Sequence, residues 1–116
     1  MKKILIIEDD RALGEGIALG LGTNTYEFTR CETLKEAEEA WEKEAFDLVI
    51  LDLNLPDGSG YDFLKTCRSQ SDIPVLMLTA NDLEINEVIG FELGANDYVT
   101  KPFTPMELLA RVNSHL

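Results

Sequence analysis

Short apolar runs of this sequence end repeatedly in side chains that could do chemistry together. These are three carboxylates, one hydroxyl and one amine, from Glu8, Asp9, Asp52, Thr79 and Lys101. Carboxylates held close together repel one another, so they favour a bound divalent cation, and oxygen ligands suit Mg²⁺ or Mn²⁺. A carboxylate beside such a cation can attack phosphorus and form an aspartyl phosphate. Lys101 would neutralise charge on the phosphoryl oxygens, and the Thr79 hydroxyl could donate a hydrogen bond to one of them.

The segment 47–60 positions the central carboxylate of this set. Four apolar residues, Leu48 to Leu51, lead directly into Asp52, and a Pro-Asp-Gly turn follows. A short apolar run bounded by turn residues is typical of a strand buried on both faces of a parallel sheet. Asp52 would then lie at the carboxyl end of that strand, where open α/β sheets bind their ligands. We therefore interpret Asp52 as a residue placed for chemistry rather than for packing.

Strands and helices alternate along the rest of the chain. Apolar runs predict strands at 4–7, 26–30, 48–51, 74–78 and 97–99. Apolar spacing and capping signals, among them a capping box at Thr33 and Glu36, predict helices at 11–22, 34–44, 60–70, 82–93 and from 104 onward. The alternation predicts a single α/β domain with a doubly wound, five-stranded parallel sheet. All carboxyl ends of its strands would lie on one edge, so the polar residues would meet if the strand order brings their strands together.

A few single residues have competing interpretations. Asp10 is either a further acid of the metal site or, more simply, a cap for the first helix. Trp41 and Phe46 are interpreted as core residues. His115, near the end of the chain, has no predicted neighbours, so we assign it no role.

The charge balance excludes some classes of partner. Acidic residues outnumber basic ones by 22 to 10, which gives a formal net charge of −12. Such a surface is unsuited to binding nucleic acid or an anionic membrane. The N-terminal apolar run is too short for a secretion signal, and no segment approaches the ~18 apolar residues of a membrane span. Cys31 and Cys67 lack the spacing of a metal site, and we interpret them as reduced thiols of a cytoplasmic protein.

The polar strand ends and the loop after Asp52 form one joint pattern. It consists of Glu8-Asp9, Asp52, Thr79 and Lys101-Pro102, with the loop Asp-Leu-Asn-Leu-Pro-Asp-Gly-Ser-Gly from 52 to 60. With this pattern the chain resembles, along its whole length, the receiver domain of two-component response regulators. The resemblance implies a flavodoxin-like fold with strand order 2-1-3-4-5, and a cis peptide bond before Pro102.

The resemblance also implies a role for each residue of the acidic site. Asp52 would accept a phosphoryl group from a histidine kinase. Asp9, Asp52 and the backbone carbonyl of Asn54 would ligate Mg²⁺, and Glu8 would act through water. Such a domain is a signalling switch and not a dedicated enzyme, although slow autodephosphorylation is expected of it.

Tyr98 and the run 100–105 (Thr-Lys-Pro-Phe-Thr-Pro) resemble one subgroup in particular, the winged-helix transcription regulators. Thr79 and Tyr98 would form the switch pair of such a receiver. The Thr79 hydroxyl would move to the phosphoryl group, and the Tyr98 ring would turn inward behind it. Simple packing at the end of a strand is the competing interpretation of Tyr98.

In that subgroup, phosphorylated receivers pair through the fourth helix, the fifth strand and the last helix. Asp97 and Arg111 match one ion pair of that interface, although they could be no more than surface charges. Glu87 would face Glu107, and the repulsion between these acids predicts a weaker dimer or an altered register. A DNA-binding output domain is expected beyond residue 116 of the full-length protein, and DNA would be bound only through it.

Three other functions compete with this one. A degenerate receiver would bind partners without being phosphorylated, but no residue of the expected site is missing. A phosphatase with an aspartate nucleophile needs a second acid two residues later, where this chain has Asn54, and usually a cap domain. A flavodoxin-like electron carrier needs a phosphate cradle after the first strand, where the acids at 8–10 would repel phosphate.

Overall fold

The fold is known from a computed structural model, which describes residues 1–21, 26–80 and 92–116. The predicted helix 82–93 lies outside these ranges except for its last two residues. The interpretation of Glu87 as the partner of Glu107 also falls outside them.

Five parallel strands form the sheet within the described residues. They are β1 (Lys2–Ile7), β2 (Tyr26–Cys31), β3 (Leu48–Asp52), β4 (Val75–Thr79) and β5 (Asp97–Thr100). Their order is β2-β1-β3-β4-β5, and each neighbouring pair is parallel. The predicted order 2-1-3-4-5 is therefore confirmed. It places β3 at the centre, where a strand that is apolar on both faces is most stable, and all five of its residues are buried.

Helices cover both faces of this sheet. α1 (Arg11–Leu21) and the C-terminal helix (Pro105–His115) lie on one face, and α2 (Leu34–Lys43) and α3 (Gly60–Gln70) lie on the other. Alternate strand residues supply the two cores, since successive side chains point to opposite faces. Ile50 of β3, for example, packs with α1, whereas Leu51 packs with α2 and α3. No helix in the described ranges combines the length and apolar character that a membrane crossing requires.

Side chains cap the helices largely where the sequence predicts. Thr33 Oγ1 accepts a hydrogen bond from Glu36 N at 3.1 Å. In a capping box the Glu36 side chain would accept a hydrogen bond from the backbone N–H of Thr33. Here Glu36 Oε1 instead accepts from Glu32 N at 2.8 Å. Asp10 Oδ1 accepts from Leu13 N at 3.1 Å, which supports the simpler interpretation of Asp10 as the cap of α1.

The two aromatic residues predicted to be core differ in burial. Phe46 is buried, whereas Trp41 is only partly buried and packs against the edge of the same cluster. The Trp41 indole donates to Gln70 Oε1 at 2.8 Å. A ring with a polar nitrogen lies most stably at such an edge, where the nitrogen finds a partner. The core interpretation is therefore correct for Phe46 and only partly correct for Trp41.

Candidate functional site

The predicted chemical residues lie together at the carboxyl edge of the sheet. The register pairs Ile7 of β1 with Leu51 of β3, and Asp52 of β3 with Leu78 of β4. Glu8 and Thr79, each one residue further along, therefore flank Asp52 on its two sides. Glu8, Asp52 and Thr79 are buried, with 2%, 3% and 1% of their surface exposed, whereas Asp9 is exposed. Burial of polar side chains costs free energy unless they are paired, so a cluster of three such side chains indicates a functional site.

Lys101 reaches this row from the end of β5. Its backbone N–H donates to the carbonyl of Thr79 at 2.7 Å, and the Lys101–Pro102 peptide bond is cis, as expected. The ammonium Nζ lies 2.6 Å from Glu8 Oε1 and 3.3 Å from Asp52 Oδ2. One cation therefore bridges the two buried carboxylates, and their negative charges raise its pKa although burial alone would lower it.

Glu8 is the carboxyl group with the most unusual environment. Burial raises its pKa to about 7; Lys101 opposes that shift, and the charge of Asp52 adds to it. Glu8 Oε2 accepts from Asp10 N at 3.2 Å. Within the described residues, Glu8 Oε1 has no partner of hydrogen-bonding geometry, although it lies at ion-pair distance from Lys101. That oxygen has capacity for a further ligand.

Three carboxylates of the site suit a divalent cation. Glu8, Asp9 and Asp52 can each offer one carboxylate oxygen, and these three oxygens lie within 4.8 Å of one another. The incompletely satisfied Oε1 of buried Glu8 is consistent with such a cation. Mg²⁺ takes oxygen ligands and retains several waters, so a cluster of this size and charge fits it.

The loop after β3 contacts the Asp52 carboxylate. Asn54–Leu55 and Gly58–Ser59 form a short antiparallel hairpin. The backbone N–H of Asn54 donates to Asp52 Oδ1 at 3.3 Å, whereas Asn54 as a residue is exposed. This bond holds one oxygen of the carboxylate while Lys101 lies against the other.

Asp57 ties this hairpin to α2, a contact that sequence reasoning missed. Its two carboxylate oxygens accept from Leu34 N at 2.9 Å and from Lys35 N at 3.1 Å. These bonds lower the pKa of Asp57. They also satisfy two N–H groups of the first turn of α2, which have no partner within the helix. The sequence shows only a Pro-Asp-Gly turn here, and a turn pattern does not reveal which distant helix the aspartate caps.

Gly60 is required where the hairpin returns to α3. Its N–H donates to the Leu53 carbonyl at 2.8 Å. A Cβ atom at this position would lie 2.3 Å from the carbonyl oxygen of Asp52, and backbone cannot move aside as a flexible side chain can. The backbone on the two sides of the loop is thus in direct contact behind the candidate phosphoryl acceptor.

Gly60→Ala is therefore expected to lower the free energy of unfolding by about 1–3 kcal/mol, the usual cost of overpacking. Urea denaturation would measure it. Gly16→Ala is the matched control, because nothing lies within 4 Å of a Cβ at this helical position. It should gain about 0.5–1 kcal/mol from helix propensity. Equal stability of Gly60→Ala and the wild type would contradict the close contact.

Tyr98, one half of the predicted switch pair, is buried in this structure. It is 8% exposed and belongs to the core cluster under α2 and α3. Its hydroxyl lies 3.1 Å from the Tyr61 hydroxyl, a partner that the sequence did not suggest. Thr79, the other half, is also buried. The Tyr98 ring is thus in the inward position that the resemblance associates with the switch.

Asp97 and Arg111 form an ion pair within the chain. Arg111 Nη1 lies 2.7 Å from Asp97 Oδ1, and His115 Nε2 lies 3.2 Å from Asp97 Oδ2. The expectation that His115 has no neighbours is wrong, because the last turn of the C-terminal helix passes over the start of β5. Burial alone would raise the pKa of Asp97, but hydrogen bonds, chiefly that from Arg111, lower it.

Fold and site together define a receiver. The chain belongs to the response regulator receiver domain family, whose sequence profile matches residues 4–113. The predicted family is confirmed.

One curated relative and two solved structures illustrate which response regulators this chain is similar to. The chain is similar to the sensory transduction protein RegX3 of Mycolicibacterium smegmatis, with 43% identity over all of this chain and 51% of that protein. The Thermotoga maritima response regulator DrrB, described as an OmpR/PhoB homolog, has a TM-score of 0.90 and 35% identity over 97% of this chain and 51% of its own. The chemotaxis protein CheY4 of Vibrio cholerae has a TM-score of 0.93 and 31% identity over 100% of this chain and 99% of its own.

These relatives bear on the fold and on the subgroup. CheY-type domains have the flavodoxin-like strand order, so the predicted fold is confirmed. Similarity to an OmpR/PhoB homolog is consistent with the predicted winged-helix subgroup. The chain spans about half the length of the curated relatives it matches, as the 51% coverage of RegX3 shows.

Proposed function

We propose that this domain is a phosphoryl-accepting switch in which Asp52 takes a phosphoryl group from a histidine kinase. The observation that carries the proposal is a buried aspartate at the carboxyl edge of the sheet that contacts an ammonium group and lies close to two further carboxylates. Asp52 is favoured over exposed Asp9 as the acceptor because it is fixed by Asn54 N–H and Lys101.

The transfer is a displacement at phosphorus. An oxygen of the Asp52 carboxylate forms a bond to phosphorus as the bond between phosphorus and the donor breaks, and the bonding electrons leave with the donor. Mg²⁺, held by Asp9, Asp52 and the backbone carbonyl of Asn54, with Glu8 acting through water, would supply positive charge that offsets the repulsion between anions. Lys101 lies within ion-pair distance of Asp52 and would neutralise an oxygen of the incoming group. The Thr79 hydroxyl would donate a hydrogen bond to another oxygen of that group.

Intact-mass spectrometry tests this proposal. A small phosphodonor with Mg²⁺ is expected to add one labile phosphoryl group to the domain, and excess chelator is expected to abolish the addition. No added mass on the wild type would favour a degenerate receiver that binds partners without phosphorylation. Labelling that persists in chelator would contradict the role of the carboxylates as metal ligands.

The signal would pass to an output domain through dimerisation. We propose that Thr79 and Tyr98 relay phosphorylation, and that receivers then pair through the predicted fourth helix, β5 and the C-terminal helix. The full-length protein would carry a DNA-binding domain after the receiver and act in the cytoplasm as a transcription regulator, with a sensor histidine kinase as its phosphodonor. The receiver would not be a dedicated enzyme. The only reaction that it would catalyse by itself is the slow hydrolysis of its own phosphoryl group.

The pair Asp97–Arg111 gives a test of the dimer. In a single chain, Arg111 forms an ion pair with its own Asp97. The proposed interface uses the same pair between two chains, so each Arg111 would leave its own Asp97 and bind that of the other copy. Sedimentation is expected to show a dimer of the wild type only with beryllofluoride and Mg²⁺. Arg111→Ala should then stay monomeric at the same concentration, whereas Arg11→Ala, which removes an exposed arginine of α1, should still dimerise. A monomeric wild type in both states would refute the proposed dimer.

A further inference from the structure

The hydroxyl of Tyr61 meets that of Tyr98 inside the protein. Tyr61 lies in the first turn of α3 and Tyr98 lies in β5, and the two oxygens are 3.1 Å apart. Tyr98 is 8% exposed, Tyr61 is partly buried, and both rings pack in the same core cluster. A buried tyrosine hydroxyl is stable only with hydrogen-bonding partners, so contact with Tyr61 favours the inward position of the Tyr98 ring.

Tyr61 is also held firmly to the loop that follows Asp52. Its N–H donates to Ser59 Oγ at 3.2 Å, and Ser59 belongs to the hairpin of that loop. The preceding Gly60 donates to the Leu53 carbonyl at 2.8 Å and leaves no room for a side chain against the Asp52 carbonyl. A hydrogen bond therefore joins the two ends of the loop, and a shift at Asp52 can reach Tyr61 through the adjacent residues Leu53 and Gly60 and the hydrogen bond between them.

We propose that Tyr61 is a positioning residue for the switch: its hydroxyl holds the Tyr98 ring inward and connects that ring to the loop of the phosphoryl acceptor. This connection runs through α3 and is separate from the one through Thr79. It rests on the proposed function only in so far as Tyr98 acts as the switch. The preference of the Tyr98 ring for the inward position, which we call the inward bias, exists whether or not Asp52 is phosphorylated.

Fluorine NMR of the domain labelled with 3-fluorotyrosine tests the bias directly. The chain has three tyrosines, so the Tyr98 resonance can be assigned by its loss in Tyr98→Phe. The measured quantity is the shift of this resonance between H₂O and D₂O, which reports exposure of the ring to solvent. In Tyr61→Phe the ratio of inward to outward Tyr98 should fall about fivefold, the equivalent of ~1 kcal/mol for one hydrogen bond. The variant should still fold, because phenylalanine keeps the aromatic ring and lacks only the hydroxyl group.

Tyr26→Phe is the matched control. Tyr26 donates its hydroxyl to Asn113 on the other face of the sheet, so its removal should leave the Tyr98 resonance unchanged. A double-mutant cycle of Tyr61→Phe and Tyr98→Phe adds a second measurement. It should show coupling of about fivefold in the unfolding equilibrium constant, whereas two independent packing residues would show none.

The proposal is overturned if the Tyr98 resonance of Tyr61→Phe matches that of the wild type, or if the cycle shows no coupling. Both measurements are made without a phosphodonor, so a failure of phosphoryl uptake at Asp52 would refute the proposed function and leave this result standing.

Discussion

Asp52→Asn is expected to take up no phosphoryl group from a small phosphodonor in the presence of Mg²⁺. The amide keeps the shape of the carboxylate but lacks the charge and the nucleophilic oxygen that form the bond to phosphorus. It also removes one of the three carboxylates that surround the metal position. Complete loss is the expected result, because the substitution removes the attacking carboxylate itself. Intact-mass spectrometry measures the loss.

Asp57→Asn is the matched control for this substitution. Asp57 lies in the same loop, is exposed, and binds the N-terminus of α2 rather than the acidic site. It should therefore be labelled like the wild type. Labelled Asp52→Asn would place the acceptor elsewhere, and peptide mapping of the modified residue would then identify it.

Glu8 is expected to make the metal-free domain less stable as the pH rises. Its carboxyl pKa is 4.5 in the unfolded chain and about 7 in the folded protein. Between these values the folded state holds a proton that the unfolded state has released, so the folded state loses stability as the pH rises. The contribution is fully present below pH 4.5 and is lost through pH 7. The difference between the two pKa values corresponds to about 3 kcal/mol for this buried group.

Urea denaturation of the wild type and of Glu8→Gln in excess chelator, at about pH 5 and pH 8, would measure this effect. Glutamine is neutral at both pH values, so it should match the wild type at the lower pH and exceed it by up to about 3 kcal/mol at the higher one. Glu38→Gln on the exposed side of α2 is the control and should change little at either pH. Mg²⁺ should restore stability to the wild type at the higher pH more than to Glu8→Gln, because the cation favours the ionised carboxylate. Parallel pH profiles of the wild type and Glu8→Gln would contradict the raised pKa of Glu8.

The fold is predictable because its signals are local. Each strand is a short apolar run, and turn residues or caps stand next to most element ends, as with Asp10 before α1 and Thr104 before the C-terminal helix. Regular alternation of strand and helix then leaves few topologies, since crossovers between parallel strands are right-handed. The position of Asp52 at the end of β3 follows directly from this order.

Contacts between distant side chains are not predictable in the same way. The sequence indicates a turn residue at Asp57, which caps α2, and no neighbours for His115, which binds Asp97. It indicates only an apolar position of α3 at Tyr61, whose hydroxyl meets that of Tyr98. Each partner lies on another element, and its identity depends on the crossing geometry of helices and strands, which hydrophobic periodicity does not specify.

The sequence by itself determined the family, the fold and the set of polar residues at one edge of the sheet, because residue type and spacing encode them. Only the tertiary structure decided how those residues affect one another. Burial of Glu8 beside Asp52 raises its pKa to about 7, and a single ammonium group, that of Lys101, lies 2.6 Å and 3.3 Å from the two carboxylates. Electrostatic energies depend on distance and on exclusion of water, and both exist only once the chain has packed.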